Sequence, residues 1–343
     1  MKNSEFRGRK NWGHVPNSEI RNMSPIFKSP ISKRKIAVVG SSNTDMIIKT
    51  GKIPRPGETI LGGEFHMAAG GKGANQAASA ARAGGDVAFI ARIGNDIFGK
   101  KAVEGFIHDG IDVKHVYKDR RAASGIALII VGADGENSIA VASGANANLT
   151  PEDVRRAGRT ISSANILLMQ LETPLETVRE AAEIAASYKV PVILNPAPAR
   201  PLDDHLLRRI SILTPNETET EILTGIKIKK ESDMAKAAQR LLKKGVRAVF
   251  ITLGSKGVFV ASETEKIRRI IPAFKVTAVD TTAAGDIFNG ALAVALAEGR
   301  PLLDAARFAN AAAALSVTKI GAQPSAPHRR DIEKLLKTKG SPS

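Results

Sequence analysis

The feature of this sequence that most restricts its fold is a regular alternation of two kinds of segment. Short apolar runs, rich in β-branched residues and bounded by Gly, Pro or Asn, alternate with longer stretches rich in Ala and Glu. The apolar runs are typical of buried parallel strands, and the longer stretches are typical of helices. This order predicts a three-layer α/β/α fold, with helices on both faces of a mainly parallel central sheet. The predicted strands are 36–39, 87–91, 166–171, 190–194, 210–213 and 248–253, and the predicted helices are 74–83, 97–108, 175–187, 232–244, 286–298 and 302–318.

Two segments, 45–67 and 122–143, interrupt the alternation because neither contains a convincing helix. Each holds strand-like pieces, and the pair Asp134-Gly135 is a strong signal for a hairpin turn. Two β segments inserted into an α/β core can pair with each other, so they predict a small second sheet that acts as a lid. The exposed edge of such a sheet needs cover, which predicts a homodimer formed through the lid. The strand-like pieces are 46–49, 59–66, 126–131 and 138–142.

Residues 1–34 differ from the rest of the chain. They mix Asn, Ser, Pro and Arg without apolar periodicity, and they lack the apolar centre of a secretory signal. This composition predicts a disordered basic tail. The tail precedes one α/β domain over 35–339, which carries the lid.

The composition excludes several classes of protein. No stretch approaches the roughly 20 apolar residues of a membrane span, and the absence of Cys excludes disulfide scaffolds, thiolate zinc sites and Cys nucleophiles. A chain without Cys also suits a reducing compartment and predicts a cytoplasmic protein. The net charge of +16 raises the possibility of nucleic-acid binding, but only 4% of residues are aromatic and none interleave with a basic stretch. The charge therefore favours anionic small molecules as ligands over nucleic acid.

Several well-known catalytic motifs are missing. Residues 94–101 have the spacing of a phosphate-binding loop up to Lys100, but Lys101 stands where a Ser or Thr would hold magnesium. No G-x-G-x-x-G follows the first predicted strand, and neither H-E-x-x-H nor G-x-S-x-G occurs. The sequence therefore argues against P-loop, metalloprotease and serine-hydrolase chemistry.

The strongest local signal is the segment 280–286, which leads into a predicted helix. The small residues Ala283, Ala284 and Gly285 leave the first backbone N–H groups of that helix uncovered, and the helix dipole adds positive potential there. This arrangement predicts an anion hole for a phosphoryl group. Asp286 lies beside the hole, where a general base for a substrate hydroxyl belongs; the alternative is that Asp286 only caps its helix.

A second glycine-rich segment, 70–75, opens another predicted helix. Its glycines allow close approach of the backbone to a ligand, and Lys72 and Asn75 can reach hydroxyls or phosphate. The alternative is a plain Gly-rich turn into a helix.

Polar residues also follow two predicted strands. Asn43 and Asp45 lie just past the first strand, and Glu172 follows the strand that ends at Leu171. Ligands bind at the carboxyl ends of strands in open α/β sheets. A carboxylate accepts two hydrogen bonds and an amide both donates and accepts, so these residues suit vicinal hydroxyls.

Two further segments allow a structural or a functional interpretation. Asn216 and Glu219 form N-x-x-E, which the sequence alone favours as a helix capping box. The segment 251–257 ends a predicted strand in a Gly/Ser turn that can lie under a nucleotide or simply join two strands.

Taken together and in order, these motifs resemble the phosphofructokinase-B family of carbohydrate kinases, over about 35–336. One such motif is weak evidence, but eight in series are highly specific. The motifs are GSSNTD (40–45), GGKGANQAA (70–78), MQLETPLE (169–176), LNPAPAR (194–200), TPNETE (214–219), ITLGSKG (251–257), DTTAAGD (280–286) and GAQPS (321–325).

The resemblance is greatest to the members of that family that act on D-ribose, and it implies transfer of the ATP γ-phosphoryl group to the 5-hydroxyl of this sugar. It implies Asp286 as the catalytic base and the backbone of 283–285 as the anion hole. It also implies Glu219 as a magnesium-associated acid, which can act through water, and a potassium site beside the hole. The implied sugar-binding residues are Asn43, Asp45, Gly71, Lys72, Gly73, Ala74, Asn75, Glu172 and Asp286; the nucleotide-binding residues are Asn216, Thr252, Leu253, Gly254, Ser255, Lys256, Gly257, Gly285 and Asn310; the potassium-site residues are Asp280, Thr282, Ser316, Lys319, Gly321 and Ser325.

Two alternatives stay open at this point. One is another sugar kinase of the same family that acts on 2-deoxyribose, fructose or a nucleoside. The other is a catalytically idle sugar-binding or regulatory protein whose basic tail contacts nucleic acid or membrane.

Overall fold

A computed structural model describes residues 34–338, so the predicted tail lies outside the described residues except for Arg34. Within this range the strands form one nine-stranded sheet and one four-stranded sheet. In chain order the strands are β1 (Lys35–Val39), β2 (Asn43–Lys49), β3 (Glu64–Gly70), β4 (Asp86–Gly94), β5 (Asp112–Asp119), β6 (Gly125–Val131), β7 (Asn137–Ala142), β8 (Ile166–Met169), β9 (Val192–Leu194), β10 (Ile212–Leu213), β11 (Ala248–Thr252), β12 (Val258–Ser262) and β13 (Ile267–Ile271).

The large sheet has the order β13-β12-β11-β10-β9-β8-β1-β4-β5. Strands from β11 to β5 in this order pair in parallel, while β12 and β13 add an antiparallel hairpin at one edge. The first strand lies inside the sheet, between β4 and β8, because the chain first builds outward to one side and then to the other. The carboxyl end of β1 is therefore a topological switch point, the place where open α/β sheets bind ligands.

Helices cover both faces of this sheet, as the alternating sequence pattern predicts. Successive residues of β1 show why the strand is apolar throughout: Ile36 and Val38 pack into one hydrophobic core, and Ala37 and Val39 pack into the other. The helices are α1 (Lys72–Arg82), α2 (Ile97–His108), α3 (Pro151–Arg156), α4 (Gly158–Ser162), α5 (Leu175–Ser187), α6 (Asp204–Leu207), α7 (Glu217–Thr224), α8 (Glu231–Lys243), α9 (Ala284–Ala297), α10 (Leu302–Ser316) and α11 (Arg329–Thr338), with 3-10 turns at Gly144–Asn148, Gly254–Lys256 and Gln323–Ser325.

The three-layer α/β/α prediction is confirmed, but the predicted strands omit β5, β12 and β13, and the predicted helices omit α3, α4, α6 and α11. The sequence pattern misses β5 and β13 because these edge strands carry polar residues among their apolar ones, as in DVKHVYKD, instead of an apolar run. The third strand begins at Glu64, so residues 59–63 are not part of it. The near-match to a phosphate-binding loop is a helix cap: Asp96 accepts hydrogen bonds from Gly99 N (2.8 Å) and Ser124 N (2.7 Å).

The predicted second sheet is present, with the order β3-β2-β6-β7. Strand β2 pairs antiparallel with β3 and parallel with β6, and the Asp134-Gly135 turn joins β6 to β7. The sheet stands at the carboxyl end of β1, because only three residues, 40–42, separate β1 from β2. In the part of the chain from 34 to 338, no helix has the length and apolarity of a membrane span.

Candidate active site

The N-terminus of α9 lies at the centre of the site. Its N-cap residue is Ala283, which has φ 58° and provides no side-chain cap, and the helix continues through Ala284, Gly285 and Asp286. A positive φ is unfavourable for a residue with a Cβ, so the backbone is strained at this turn. The first N–H groups of a helix have no intrahelical acceptor. The turn therefore presents backbone donors of the kind that an anion hole requires, with Ala284 N bonded to Thr281 O (3.2 Å) in this structure.

Asp286 does not cap this helix. Its carboxylate is 5% exposed and accepts hydrogen bonds from Asn75 Nδ2 (3.0 Å) and Gln76 Nε2 (2.9 Å), both on α1. Burial raises the pKa of Asp286 above its usual value, whereas Lys72 and the two amide donors work against that rise. A buried carboxylate with both oxygens oriented by neutral donors is suited to receive a proton.

The glycine-rich start of α1 is pressed against the end of β1. A Cβ on Gly73 would lie 2.5 Å from Ser41 N, and a Cβ on Gly71, which has φ 88°, would lie 2.6 Å from Asn43 N. The amides of Gly73 and Ala74 bond to Ser41, so these two residues hold the helix in place. Close approach of α1 to β1 is what brings the α1 side chains to Asp286.

Three carboxylates, Asp45, Glu172 and Asp286, surround Lys72. Although burial opposes its charge, these carboxylates and Glu219 raise the pKa of Lys72. Burial, with Glu172 and Asp286 adding to it, raises the pKa of Asp45 to about 6. The cluster keeps a lysine charged in a desolvated site where a phosphoryl group would bring further negative charge.

Backbone and hydroxyl groups fix the carboxylate of Glu172, whereas that of Asp45 lies against a glycine of the neighbouring strand. Glu172 Oε2 accepts hydrogen bonds from Ser41 Oγ and from Lys72 N (3.0 Å). The carboxylate of Asp45 lies over Gly70 on the paired strand, since a Cβ there would lie 2.3 Å from its oxygens. Asn43 and Asp45 are two residues apart on β2, so their side chains share one face of the small sheet.

A buried amide network links these groups to the sheet, and the sequence reasoning assigned it no role. Gln170 Nε2 donates to Gln76 Oε1 (2.7 Å), and Gln76 Nε2 donates to Asn195 Oδ1 (3.1 Å) as well as to Asp286. Asn195 lies at the end of β9 and Gln170 at the end of β8. Both residues directly follow a buried apolar run, and a polar residue in that position is the sequence signal that could have identified them as site residues.

The same network reaches the anion-hole backbone from another side. Asn195 Nδ2 donates to Thr214 O (3.1 Å), and Thr214 Oγ1 donates to Asn289 Oδ1 (2.6 Å). Asn289 Nδ2 then donates to Gly285 O (2.8 Å). Three strand ends thus brace both the carboxylate and the small-residue turn at the start of α9.

A cavity of about 480 Å³ lies on the other side of α9. Its lining includes six of the residues that the resemblance assigns to the nucleotide, and Gly285 connects it to the anion hole. Lining residues that the sequence reasoning missed are mainly apolar, and they come from the irregular segment before α9 and from α10. The six residues are Thr252, Gly254, Ser255, Gly257, Gly285 and Asn310, and the missed residues include Ala273, Phe274, Val276, Ala313 and Val317.

Three of the residues assigned to the nucleotide are placed differently. Leu253 is buried in the hydrophobic core, and Lys256 lies on the outer side of its turn, so neither lines the cavity. Asn216 lies beside Thr252 through a parallel bridge.

Asn310 Nδ2 donates to the carbonyls of residues 271 and 272 (3.1 and 3.2 Å) and so braces the segment that carries Phe274.

The capping interpretation of Asn216 and Glu219 is confirmed. Glu219 N donates to Asn216 Oδ1 (2.8 Å), and Asn216 N and Nδ2 donate to the two oxygens of Glu219 (2.8 and 3.0 Å). Burial raises the pKa of Glu219. The capping box fixes a carboxylate at the edge of the acidic cluster and does not conflict with a metal-associated role.

The loops assigned to a monovalent cation come together at Asp280. Its two carboxylate oxygens accept hydrogen bonds from Thr282 N (2.9 Å) and Gly321 N (2.8 Å). Ser316 and Ser325 donate their hydroxyl protons to the carbonyls of residues 313 and 322, and Lys319 N bonds to Ser316 O (3.0 Å). Between residues 34 and 338 no cluster of three His, Asp or Glu side chains has a metal-binding arrangement.

The fold and site agree with comparisons with known proteins. The model of the pfkB family carbohydrate kinases matches residues 33–329. A ribokinase of Haemophilus influenzae is 48% identical over 304 residues, which cover 89% of this chain and 99% of that protein. A deoxyribokinase of Salmonella typhi is 39% identical over 302 residues, which cover 88% and 98%.

A solved structure of Arabidopsis thaliana ribokinase, complexed with ribose and ATP, superimposes on this fold with a TM-score of 0.83 at 35% identity. The match covers 90% of this chain and 100% of that one. The similarity therefore includes the large sheet, its helices and the small sheet together.

Proposed function

This chain belongs to the pfkB family of carbohydrate kinases, and from that premise we propose that it transfers the γ-phosphoryl group of ATP to the 5-hydroxyl of D-ribose. The products are D-ribose 5-phosphate and ADP. The observation that carries the proposal is the position of the α9 N-terminus: Gly285 lines the nucleotide cavity, and the next residue, Asp286, is bonded into the acidic cluster on the other side. The sugar that accepts the phosphoryl group and the ATP that donates it would thus meet at the N-terminus of α9.

In the proposed reaction, Asp286 accepts the proton of the sugar 5-hydroxyl while the sugar oxygen forms its bond to the γ-phosphorus. The bond from that phosphorus to the β–γ bridging oxygen breaks, and ADP carries away the electron pair. Charge on the transferring oxygens is stabilised by the backbone N–H groups of 283–285 and by Lys72. Phosphoryl transfer needs in-line positioning and charge neutralisation more than covalent chemistry, and these residues supply both.

We assign sugar recognition to the face of β2 that carries Asn43 and Asp45, together with Glu172, Lys72 and Asn75. Asn75 Oδ1 is buried and has no protein partner among the described residues, so it is available to accept a hydroxyl proton. Closure of the small sheet over the sugar would exclude water, which strengthens the electrostatic interactions and prevents ATP hydrolysis.

Magnesium fits the site through Glu219. Both oxygens of this carboxylate bond to Asn216, which leaves lone pairs for metal-bound water but favours indirect contact over direct ligation. When bound, the ion neutralises charge on the ATP phosphates.

Potassium fits the Asp280 loops because the donor set there is made of oxygen atoms. The hydroxyls of Ser316 and Ser325 direct their protons to carbonyls, so their oxygen lone pairs remain available. When bound, the ion stiffens the loop that carries the anion hole; the other donors are backbone groups of Thr282, Lys319 and Gly321.

The activity is tested by measuring kcat/KM for ribose, 2-deoxyribose, fructose and adenosine in a coupled ADP-release assay. We expect ribose to exceed each of the others by at least roughly tenfold: the hydroxyl that 2-deoxyribose lacks leaves buried polar groups of the sugar site unpaired, and fructose and adenosine are larger than the pentose. The similarity to a deoxyribokinase makes 2-deoxyribose the second candidate. Equal or better use of 2-deoxyribose would reassign the substrate, and ribose binding without ADP release would make the protein a sugar-binding protein.

We also propose a homodimer that forms through the small sheet. The strand register places Ile48, Phe65, Met67 and Leu128 on the face opposite Asp45, and these side chains are between 41% and 57% exposed. A contiguous apolar face of this kind marks an interaction surface, and a second copy of the same sheet is one partner that covers it.

Leu128→Glu should weaken that dimer by on the order of 10²-fold in Kd, because association would bury an unpaired charge. Sedimentation equilibrium of the wild type and the variant measures the effect. Ile107→Glu, the same change at an exposed position on α2, serves as the control and should leave the mass unchanged. A monomeric wild type, or a Leu128→Glu variant that stays dimeric, would contradict the proposed interface.

ATP as the phosphoryl donor and a chain without Cys both suit the cytoplasm, and we propose that location.

A further inference from the structure

The backbone crosses between the core and the small sheet at four places. The crossings are 42–43, 70–71, 124–125 and 143–144. The relative position of these crossings determines where the sugar-binding face of β2 lies with respect to α1 and α9. One buried side chain, that of Asn146, joins two of them.

Asn146 lies in the 3-10 turn that follows β7 and is 2% exposed. Its Oδ1 accepts a hydrogen bond from Ser42 N (2.8 Å), and its Nδ2 donates to Ser42 O (3.1 Å). The same Nδ2 donates to Asn43 Oδ1 (2.7 Å). The side chain thus pairs with both backbone groups of Ser42 and with the side chain of the adjacent residue.

These contacts determine the orientation of two amide groups. A backbone N–H can only donate and a carbonyl can only accept, so the two bonds to Ser42 fix which end of the Asn146 amide is Oδ1 and which is Nδ2. Because Nδ2 then faces Asn43, the atom of Asn43 that meets it must be the acceptor Oδ1. The N–H donors of Asn43 are left for another partner.

The neighbouring strand leaves space for this contact. A Cβ on Gly125 would lie 2.1 Å from Asn43 Oδ1 and 2.3 Å from Asn146 Nδ2. Glycine at this position therefore permits the two amides to meet beside β6. The contact belongs to the sugar side of the small sheet, since Asn43 and Asp45 share one strand face.

We propose that Asn146 is a positioning residue for the sugar: it orients the Asn43 amide so that this side chain donates to a hydroxyl oxygen of ribose, and it ties the strand leaving the small sheet to the strand entering it. This proposal rests on the proposed function. Asn43 as donor and Asp45 as acceptor then present opposite polarities to neighbouring hydroxyls. The sugar site is thereby oriented before the small sheet closes.

Asn146→Asp tests the proposal with a side chain of nearly the same shape. A carboxylate at 146 keeps the bond from Ser42 N but loses both donations, so the Asn43 amide turns its Nδ2 toward it and offers Oδ1 to the sugar. We expect the KM for ribose to rise about 10- to 100-fold, the usual size of a mispaired hydrogen bond. The KM for ATP should stay within twofold and kcat within threefold.

A double-mutant cycle with Asn43→Ala separates positioning from general stabilisation. If Asn146 acts through Asn43, the double variant has the same ribose KM as Asn43→Ala within twofold. Multiplicative effects, or equal increases in the KM values for ribose and ATP, would overturn the proposal in favour of a purely structural role. Asn148→Ala, on the same 3-10 turn, is the control and should leave the ribose KM unchanged.

Gly125→Ala examines the same contact if Asn146→Asp does not fold, because its Cβ would separate the two amides. It should raise the ribose KM without changing the ATP KM. Failure of the proposed function can be told apart from failure of the role of Asn146. A wild-type protein that does not phosphorylate ribose contradicts the proposed function. A wild type active on ribose, with Asn146→Asp or Gly125→Ala variants that keep its ribose KM within threefold, contradicts the role of Asn146.

Discussion

Asp286→Asn is expected to lower kcat by about 10²- to 10⁴-fold, the usual contribution of a general base, while ribose and ATP still bind. The amide cannot accept the proton of the sugar 5-hydroxyl, but its size matches that of the carboxylate it replaces. Gln76 Nε2 can still donate to the oxygen of the new amide, and Asn75, whose Oδ1 has no protein partner among the described residues, can turn to accept from its Nδ2. Calorimetric titration should therefore show dissociation constants for both substrates within a few fold of the wild type.

The control for this variant is Asp203→Asn, the same change at an exposed helix N-cap. Asp203 Oδ1 accepts a hydrogen bond from Leu206 N (2.8 Å), and Asn caps helices equally well, so activity should not change. A turnover of Asp286→Asn within twofold of the wild type would exclude Asp286 as the base. Loss of ATP binding would instead give the side chain a role in the anion hole.

The fold was accessible from sequence for most of the fully buried strands, although β12, which is also buried throughout, was considered only as the second strand after the turn at 251–257. A parallel strand covered on both faces must be apolar at every position, and Ile36–Val39 shows this directly because alternate residues enter the two cores. Edge strands are covered on fewer sides and can carry charged residues. The search for continuous apolar runs therefore misses β5 and β13. The small sheet was predictable as an interruption of the helical pattern, but its register was not, because register depends on pairing between distant segments.

The candidate site was accessible only in part. Residues at strand ends and helix starts, such as Asp45 and Asp286, are visible because a polar residue there contradicts the surrounding pattern. Gln76 was not assigned a role, since a glutamine inside an Ala-rich helix is unremarkable until the fold brings Gln170 and Asn195 to it. The same holds for the apolar part of the cavity beside Gly285, where Phe274 and Val317 come from segments distant in sequence.

The electrostatics of the site explain why so many neutral amides are needed. Three carboxylates in one desolvated pocket repel one another, and Lys72 balances them only in part. Amide donors stabilise ionised carboxylates without adding a competing cation that a phosphate group would attract. The amide donors of Asn75 and Gln76 thus oppose the rise in the pKa of Asp286 that burial causes, and they do so without adding a positive charge to the site.

Asp45→Asn is expected to raise stability and lower activity at the same time. In the folded protein, burial and two neighbouring carboxylates raise the pKa of Asp45 to about 6, from 3.8. Because the folded state binds this proton more tightly than the unfolded state, ionisation above pH 6 opposes folding. The neutral variant should therefore gain on the order of 2 kcal/mol at pH 7.5, after allowance for the partial exposure of the side chain. In the wild type, protonation of Asp45 restores the same contribution to the free energy of unfolding as the pH falls from about 6 toward 4.

The same substitution should reduce kcat/KM for ribose by about 10²- to 10³-fold, since hydrogen bonds from sugar hydroxyls to a charged acceptor contribute about 1.5–3 kcal/mol each. Ribose affinity of the wild type should weaken as the pH falls through 6, and Asp45→Asn should lack that dependence on Asp45 ionisation. Thermal unfolding at pH 7.5 and calorimetric ribose titrations from pH 5 to 8 measure the two effects, with Asp134→Asn in the β6–β7 turn as the matched control. A variant that is less stable than the wild type at pH 7.5 would show that the charge of Asp45 does not oppose folding. A variant that binds ribose as well as the wild type would show that the sugar does not use this charge.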